Sequence, residues 1–348
     1  MTLVVLRSRV DTASIAALFL LGVACGGETA PPPVSASAEP ATVPVEPTSA
    51  ERTSTERTSG EPRSEEPTGA GSIAEASEEP AEPRDPNAPE DCPPPEAWPE
   101  GMACVGGGTF ELGDTEGRPD EREPGEVYVD TFYMDIYEVT NEDYEECIVA
   151  GVCSRPMPFR RYRAPRQPMV AMSWYDAVAH CERLGKRLPT EAEWERGAAG
   201  PDDTIYAWGN EPLGCERAVI QDGSGRGCGT EITAEVGSRP PGHWGLYDMT
   251  GNVHEWVADW YSDCLRGCDN ECGDACFGRN PQGPCGGGAE RCSGHPLKSV
   301  RGGSWWWPAE RARAQARRGS GAPNRGPHRF GFRCARDLEV EAPAPEAL

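Results

Sequence analysis

Beyond its first two dozen residues, no stretch of this 348-residue chain is apolar enough to cross a membrane. Basic residues are scarce beside acidic ones, 33 Lys and Arg against 57 Asp and Glu, and the formal charge is -24. That balance lacks the positive footprint that a phosphate backbone requires, which excludes nucleic acid as a partner. Residues 26–90 have almost no aromatic or large aliphatic side chains, so they cannot bury enough apolar surface to offset chain entropy. The five histidines show no helical H-x-x-x-H or zinc-type spacing, and no nucleotide-binding or Ser-His-Asp motif stands out. Between Cys292 and Cys334 there is no cysteine at all.

What is present begins with an address. Arg7 and Arg9 precede the apolar run Ala13 to Ala24, too short to span a bilayer and ending in small residues, so residues 1–24 read as a signal peptide. Leu21-Gly22-Val23-Ala24-Cys25 looks like a lipobox, although Gly22 stands where the pattern has an apolar residue. Cys25 is then the expected lipid attachment point, and the expected location is the cell envelope, at the outer membrane. Residues 25–91 form a Pro/Glu/Ser/Thr-rich tether, with a near-repeat in Glu51-Arg52-Thr53-Ser54 and Glu56-Arg57-Thr58-Ser59. Prolines and like charges extend such a segment, which holds a domain away from a membrane surface. The folded domain is expected over 92–338, with a flexible tail over 339–348.

Cysteine usage fits export. Of 15 cysteines, an even fourteen remain once Cys25 is set aside, a density that points to disulfides. Cys92/Cys104, Cys147/Cys153 and Cys215/Cys228 are close in sequence. Six more, Cys264, Cys268, Cys272, Cys276, Cys285 and Cys292, crowd one glycine-rich segment. Their spacing is not the paired C-x-x-C of structural zinc, so the segment reads as an oxidised, loop-stapling insertion whose pairing is open.

Within the domain, 107–113 reads as a first strand between turns, and the alternation over 127–132 reads as another. Three helix starts carry a hydroxyl with an acid three residues later: Thr140/Asp143, Ser173/Asp176 and Thr190/Glu193. The first helix is expected to bury Tyr144, Cys147 and Ile148 and stop at Gly151. The second buries Trp174, Ala177, Val178 and Cys181 and stops at Gly185. The third, around Trp194, runs out at Gly200. Beyond it, short apolar runs among Gly, Pro and Asn predict strands and long loops. Trp305, Trp306 and Trp307 are expected on a strand, at least one of them in the core. The fold class is α+β with low regular content, and disulfide-rich.

Several motifs then occur in one order: Glu138-Val139-Thr140-Asn141, Arg187 to Glu195 (RLPTEAEWE), Gly245 to Val253 (GLYDMTGNV), Glu255-Trp256, Arg301-Gly302-Gly303-Ser304-Trp305 and Gly331-Phe332-Arg333. Together they resemble the sulfatase-modifying-factor, or formylglycine-generating-enzyme, superfamily over roughly 105–336. The resemblance implies a C-type-lectin-like core. It implies a disulfide between Cys181 and Cys334, and a calcium site from the Asp248 and Glu255 side chains with the carbonyls of Met249, Gly251 and Val253. Hard oxygen ligands of this kind suit calcium. Members that make formylglycine carry two copper-binding cysteines, whose places here hold Trp307 and Ala312. Neither offers a thiolate, so no copper is expected. The serine of the family's oxygen pocket is retained as Ser304, and His254 stands at the pocket's tryptophan.

Two functions follow from different classes. One is a non-catalytic surface module that binds a peptide, glycan or protein partner, with an outward tryptophan near 305–307 as a packing surface. The other is a divergent oxidoreductase, in which an iron triad would have to assemble from His254, Glu255 and a distant histidine. The missing cysteines favour binding.

Overall fold

The computed structural model describes residues 92–338 apart from 123, 158, 212–213, 264, 266–275, 277 and 287–288. The signal peptide, Cys25, the tether and the 339–348 tail lie outside the described residues, as do Cys264, Cys268 and Cys272. In chain order the strands are β1 (Met102–Val105), β2 (Gly108–Leu112), β3 (Gly125–Val129), β4 (Phe132–Asp135), β5 (His254–Trp260), β6 (Gly278–Arg279), β7 (Lys298–Arg301), β8 (Arg317–Gly321), β9 (Phe330–Gly331) and β10 (Ala335–Asp337). The helices are α1 (Asn141–Val149), α2 (Trp174–Arg183) and α3 (Glu191–Ala199).

The helix starts follow directly from the sequence. Thr140, Ser173 and Thr190 each accept the third-residue N–H, while Asp143, Asp176 and Glu193 accept the cap N–H in return. Two otherwise unpaired donors are satisfied at each start, which fixes where helices of only nine or ten residues begin. Tyr144, Cys147, Trp174, Ala177 and Cys181 are buried as the periodicity requires, whereas Ile148 and Val178 are only half-buried. All nine residues of α3 are buried, including Glu191, Glu193, Glu195 and Arg196.

Strand boundaries are less faithful to pattern. The run expected over 127–132 is two strands in two different sheets, broken at Asp130 and Thr131. An additional strand, β1, precedes the one expected at 107–113; all four of its residues are buried, so it shows no alternation to detect. β4 is central in a three-stranded antiparallel sheet, β1-β4-β10. β2 and β3 pair antiparallel, with β6 added parallel to β3. The third sheet has the order β8-β7-β5-β9. Residues 302–307, expected to continue as a strand, instead form turns after β7; Trp305 is buried, and Trp306 and Trp307 are half-exposed.

Charge as well as apolar packing joins these parts. Arg317 binds Glu191 in a two-pronged contact at 2.8 and 2.7 Å, and Arg301 reaches both Glu191 (3.2 Å) and Glu195. The remaining Glu195 oxygen accepts the Gly113 N–H at 2.7 Å. Arg333 binds Glu255 in the same two-pronged manner, at 2.8 and 2.7 Å. Trp194 Nε1 donates to that carboxylate as well, at 2.8 Å. α3 is thereby tied to β5, β7 and β8 by interactions that tolerate little change in position.

Disulfides hold the long connections. Cys92 bonds Cys104, Cys147 bonds Cys153, Cys181 bonds Cys334, Cys215 bonds Cys228 and Cys285 bonds Cys292; Cys276 is also oxidised. The Cys181–Cys334 bond closes 153 residues, the loop with the largest entropy to remove from the unfolded chain. Replacing both with Ala is expected to lower stability by about 4 kcal/mol in urea unfolding, the most of any described pair.

A pH dependence follows from His180, which is buried against Tyr144 and Phe332. Burial pushes its imidazole down from 6.5 to about 4. Between those values the unfolded chain holds the proton and the folded chain does not, so this contribution to stability is lost as pH falls from about 6.5 to about 4. Urea unfolding of His180→Phe across that range should show a flatter profile than the parent.

Candidate functional site

The turn after β7 and the start of β5 form one structure. The Gly251 N–H donates to the Gly302 carbonyl at 2.7 Å, and the Trp305 N–H donates to the Asn252 carbonyl at 2.9 Å. Gly302 and Gly303 both have positive φ, +84° and +71°. A Cβ on Gly302 would approach Trp194 at 3.0 Å, and one on Gly303 would meet the Ala312 Cβ at 2.6 Å. Glycine is therefore required twice in succession for the backbone to turn this tightly against α3 and the 309–312 turn.

The turn brings Ser304 beside the segment that carries His254, and both are buried. Ser304 Oγ, Trp305 Nε1, Trp307 Nε1 and Arg329 Nε are buried without a hydrogen-bond partner, and the buried His254 ring has only the Arg301 carbonyl within reach of its N–H. Each such group costs roughly 1–3 kcal/mol of desolvation, and so many around one short turn is the mark of a site rather than of a finished core. His254 packs edge-on against Phe330 at 5.4 Å. Burial, then the positive charges of Arg318 and Arg329, push its imidazole down to about 3, with Arg311 adding to the effect against the Arg301 carbonyl. It is a neutral ring whose N–H faces the Arg301 carbonyl.

Arginines surround this ring. Arg118, Arg311, Arg317 and Arg318 line a pit of about 10 Å³ next to His254, room for about one water-sized group. Trp307, at one cysteine place, lies under the Arg318 guanidinium at 4.9 Å, and Trp306 lies under that of Arg226 at 3.5 Å. Ala312, at the other, is fully buried against Gly303. Every described cysteine is in a disulfide, so among the described residues there is no thiol to serve a copper ion. The residues present do not fit that metal.

The iron triad that the alternative oxidoreductase reading would need is not brought together by His254 and Glu255. His254 and Glu255 are neighbours on β5, and their side chains leave opposite faces of the strand, His254 toward the arginines and Glu255 toward Arg333 and Trp194. Among the described residues, the one group of three or more His, Cys, Asp or Glu with ligand atoms within 4.8 Å is Cys147, Cys153 and His180, and its two sulfurs are bonded to each other.

On the Glu255 side of the strand, Asp248 and Glu255, the two side chains expected at calcium, lie near Glu138, but both Glu255 oxygens are taken by Arg333 and Trp194. Asp248, Glu255 and Glu138 are buried together, with Arg333 as the cation among them. Glu138 accepts from the Val253 N–H at 3.1 Å and from Asn252 Nδ2 at 2.6 Å, and Asp248 accepts from the Gly237 N–H at 2.7 Å. Burial and the neighbouring acids raise Glu138 well above the usual carboxylate value; burial raises Asp248 to about 6. Arg333 supplies the counter-charge to Glu255, and the ligand atoms of the three acids do not all lie within 4.8 Å of one another. Sequence reasoning missed Glu138 and the arginines: they come from distant segments, and only the fold brings them together.

Gly303→Ala is expected to lower stability by roughly 1–3 kcal/mol, through strain at positive φ and overlap with Ala312, as thermal unfolding will read.

The sequence model of the "Sulfatase-modifying factor enzyme 1-like domain" matches residues 89–338. The mouse (Mus musculus) formylglycine-generating enzyme is 31% identical over 297 residues, covering 68% of this chain and 75% of the mouse protein. The serine/threonine-protein kinase pkn1 of Chlamydia pneumoniae is 33% identical over 258 residues, 68% of this chain; the chain spans only 38% of that kinase. Among solved structures, PvdO from Pseudomonas aeruginosa superimposes with a TM-score of 0.55 at 28% identity, covering 68% of this chain and 94% of PvdO. With the ordered motifs, the low regular content and these matches in agreement, the chain belongs to the sulfatase-modifying factor enzyme 1-like family.

Proposed function

We propose that this chain is an exported, lipid-anchored member of the family that no longer makes formylglycine and instead binds a partner at the surface of Trp306 and Trp307, above the buried His254 and Ser304. The observation that carries this is the replacement of both thiol positions by Trp307 and Ala312, in a domain whose described cysteines are all oxidised. A cysteine-oxidising site needs thiolates to hold its copper, and an indole and a methyl group offer none. What remains is a turn with half-exposed Trp306 and Trp307, with the unpaired donors Trp305 Nε1 and Trp307 Nε1 within it. Rigid aromatic surface next to hydrogen-bonding groups is the composition of a binding site for a peptide, glycan or protein. Disulfide density supports an oxidising compartment. The anchor at Cys25 and the outer-membrane location belong to the same proposal and rest on the leader sequence.

Calcium is part of this reading as a structural ion. Asp248 and Glu255 would hold it with the carbonyls of Met249, Gly251 and Val253. Its chemistry would be charge compensation for the buried carboxylates, which fixes the loop before β5. Removal with EGTA should lower the melting temperature and Asp248→Asn should abolish the response; an unchanged melting temperature with EGTA would remove calcium from the account.

The functional test incubates the full chain with copper, reductant, oxygen and a cysteine-containing sulfatase-type peptide. No formylglycine and no oxygen uptake above the protein-free control are expected. Stoichiometric conversion of the peptide cysteine would overturn the reading.

A further inference from the structure

The arginines beside His254 are unusual in a chain of charge -24. Arg311 follows from the 309–311 turn, Arg318 from β8, and Arg329 from the residue before β9, so three separate elements deliver positive charge to one place. Arg318 is close enough to Arg329, Arg311 and Arg118 to be repelled by each. Among the described residues no carboxylate forms an ion pair with Arg311, Arg318 or Arg329, whereas Arg118 at the edge turns to Asp120 and Glu121, and Arg317 to Glu191. Aromatic rings lie near two of the unpaired guanidiniums, Trp307 at 4.9 Å from Arg318 and Phe330 at 5.8 Å from Arg329. Such contacts leave the N–H edges free to donate. Arg329 Nε is buried without a partner, and the Arg329 carbonyl accepts the His254 backbone N–H at 2.9 Å, which sets this arginine beside the pit.

We infer that Arg311, Arg318 and Arg329 bind a tetrahedral oxyanion, sulfate or phosphate, with one oxygen entering the pit at His254. This rests on the binding role proposed above and names the chemical group that the cleft selects. Guanidinium edges donate in pairs to oxyanions and make the strongest hydrogen bonds available to side chains. Three guanidiniums from three elements are matched by the three oxygens that a free sulfate or phosphate keeps beyond the inserted one; an ester keeps two. A planar carboxylate, with two oxygens, leaves one arginine unanswered. The pit of about 10 Å³ admits an oxygen but no ring, so the group is a terminal one. Trp307 next to it offers a flat surface to whatever carries the group.

The test is calorimetric titration of the full chain with sodium sulfate, sodium phosphate, phenyl sulfate and phenyl phosphate, with sodium acetate at equal ionic strength as the control. Saturable binding of sulfate or phosphate at least tenfold tighter than acetate is expected. A gain from the phenyl group identifies an organic ester as the ligand, and no gain identifies the free ion. Arg318→Gln and Arg329→Gln should each weaken binding at least tenfold, while Arg155→Gln, which removes an exposed pair with Glu145, should not. If either cleft variant fails to fold, phenylglyoxal labelling of the parent protein decides: the anion should protect Arg311, Arg318 and Arg329. Absence of saturable binding, binding unaffected by both cleft substitutions, or labelling unaffected by the anion each overturns the inference. Formylglycine formation would sink the binding role and leave these titrations as an independent result.

Discussion

Everything in this domain depends on a buried set of ion pairs between α3 and the strands beneath it. Glu191 and Glu195 lie on a helix with no exposed face; Arg317 meets Glu191 with two hydrogen bonds and Arg301 bridges Glu191 and Glu195. Burial opposes ionisation of Glu191, but Arg317 and Arg301 outweigh it and hold the carboxyl below its ordinary value. Such pairs contribute modestly compared with an apolar core, yet losing one partner strands a charge and costs about 3–5 kcal/mol. They act as registration marks: a helix or strand displaced by a residue would leave a buried charge unpaired. A domain with short strands and long loops gains from this a defined position for each part.

The site inherits that precision. Arg301 ends β7 inside the ion-pair set, and the chain then turns through Gly302 and Gly303 to present Ser304. β5 carries His254 to one face and Glu255 to the other, with Glu255 locked by Arg333 and Trp194. One strand therefore separates a side where three acids meet Arg333 from an arginine-lined side.

Much of this was legible in the sequence, unevenly. The capping pairs at Thr140, Ser173 and Thr190 marked the helices because capping is local physics written in four residues. The family motifs marked the frame, and the absence of cysteine between Cys292 and Cys334 marked the missing thiols. Strand limits were less readable: β1 is buried on both faces and gives no period, and the 127–132 alternation runs across a break between two sheets. Trp305 to Trp307 looked like a strand because bulky aromatics favour one, but the preceding glycines turn the chain before pairing can continue. The arginine cluster was invisible for a different reason. Arg311, Arg318 and Arg329 are ordinary residues in a basic-looking segment until the fold shows which ones lack an acid.

The central claim is that the fold has been kept while the thiol chemistry was lost. Copper(I) competition with a chromogenic chelator, on the oxidised full-length chain, tests it most directly. The account predicts that the chelator retains all the copper, with no change on adding the protein. Withdrawal of one copper ion per chain would contradict it, because a soft metal site would then exist in a cleft where the structure provides no soft ligand.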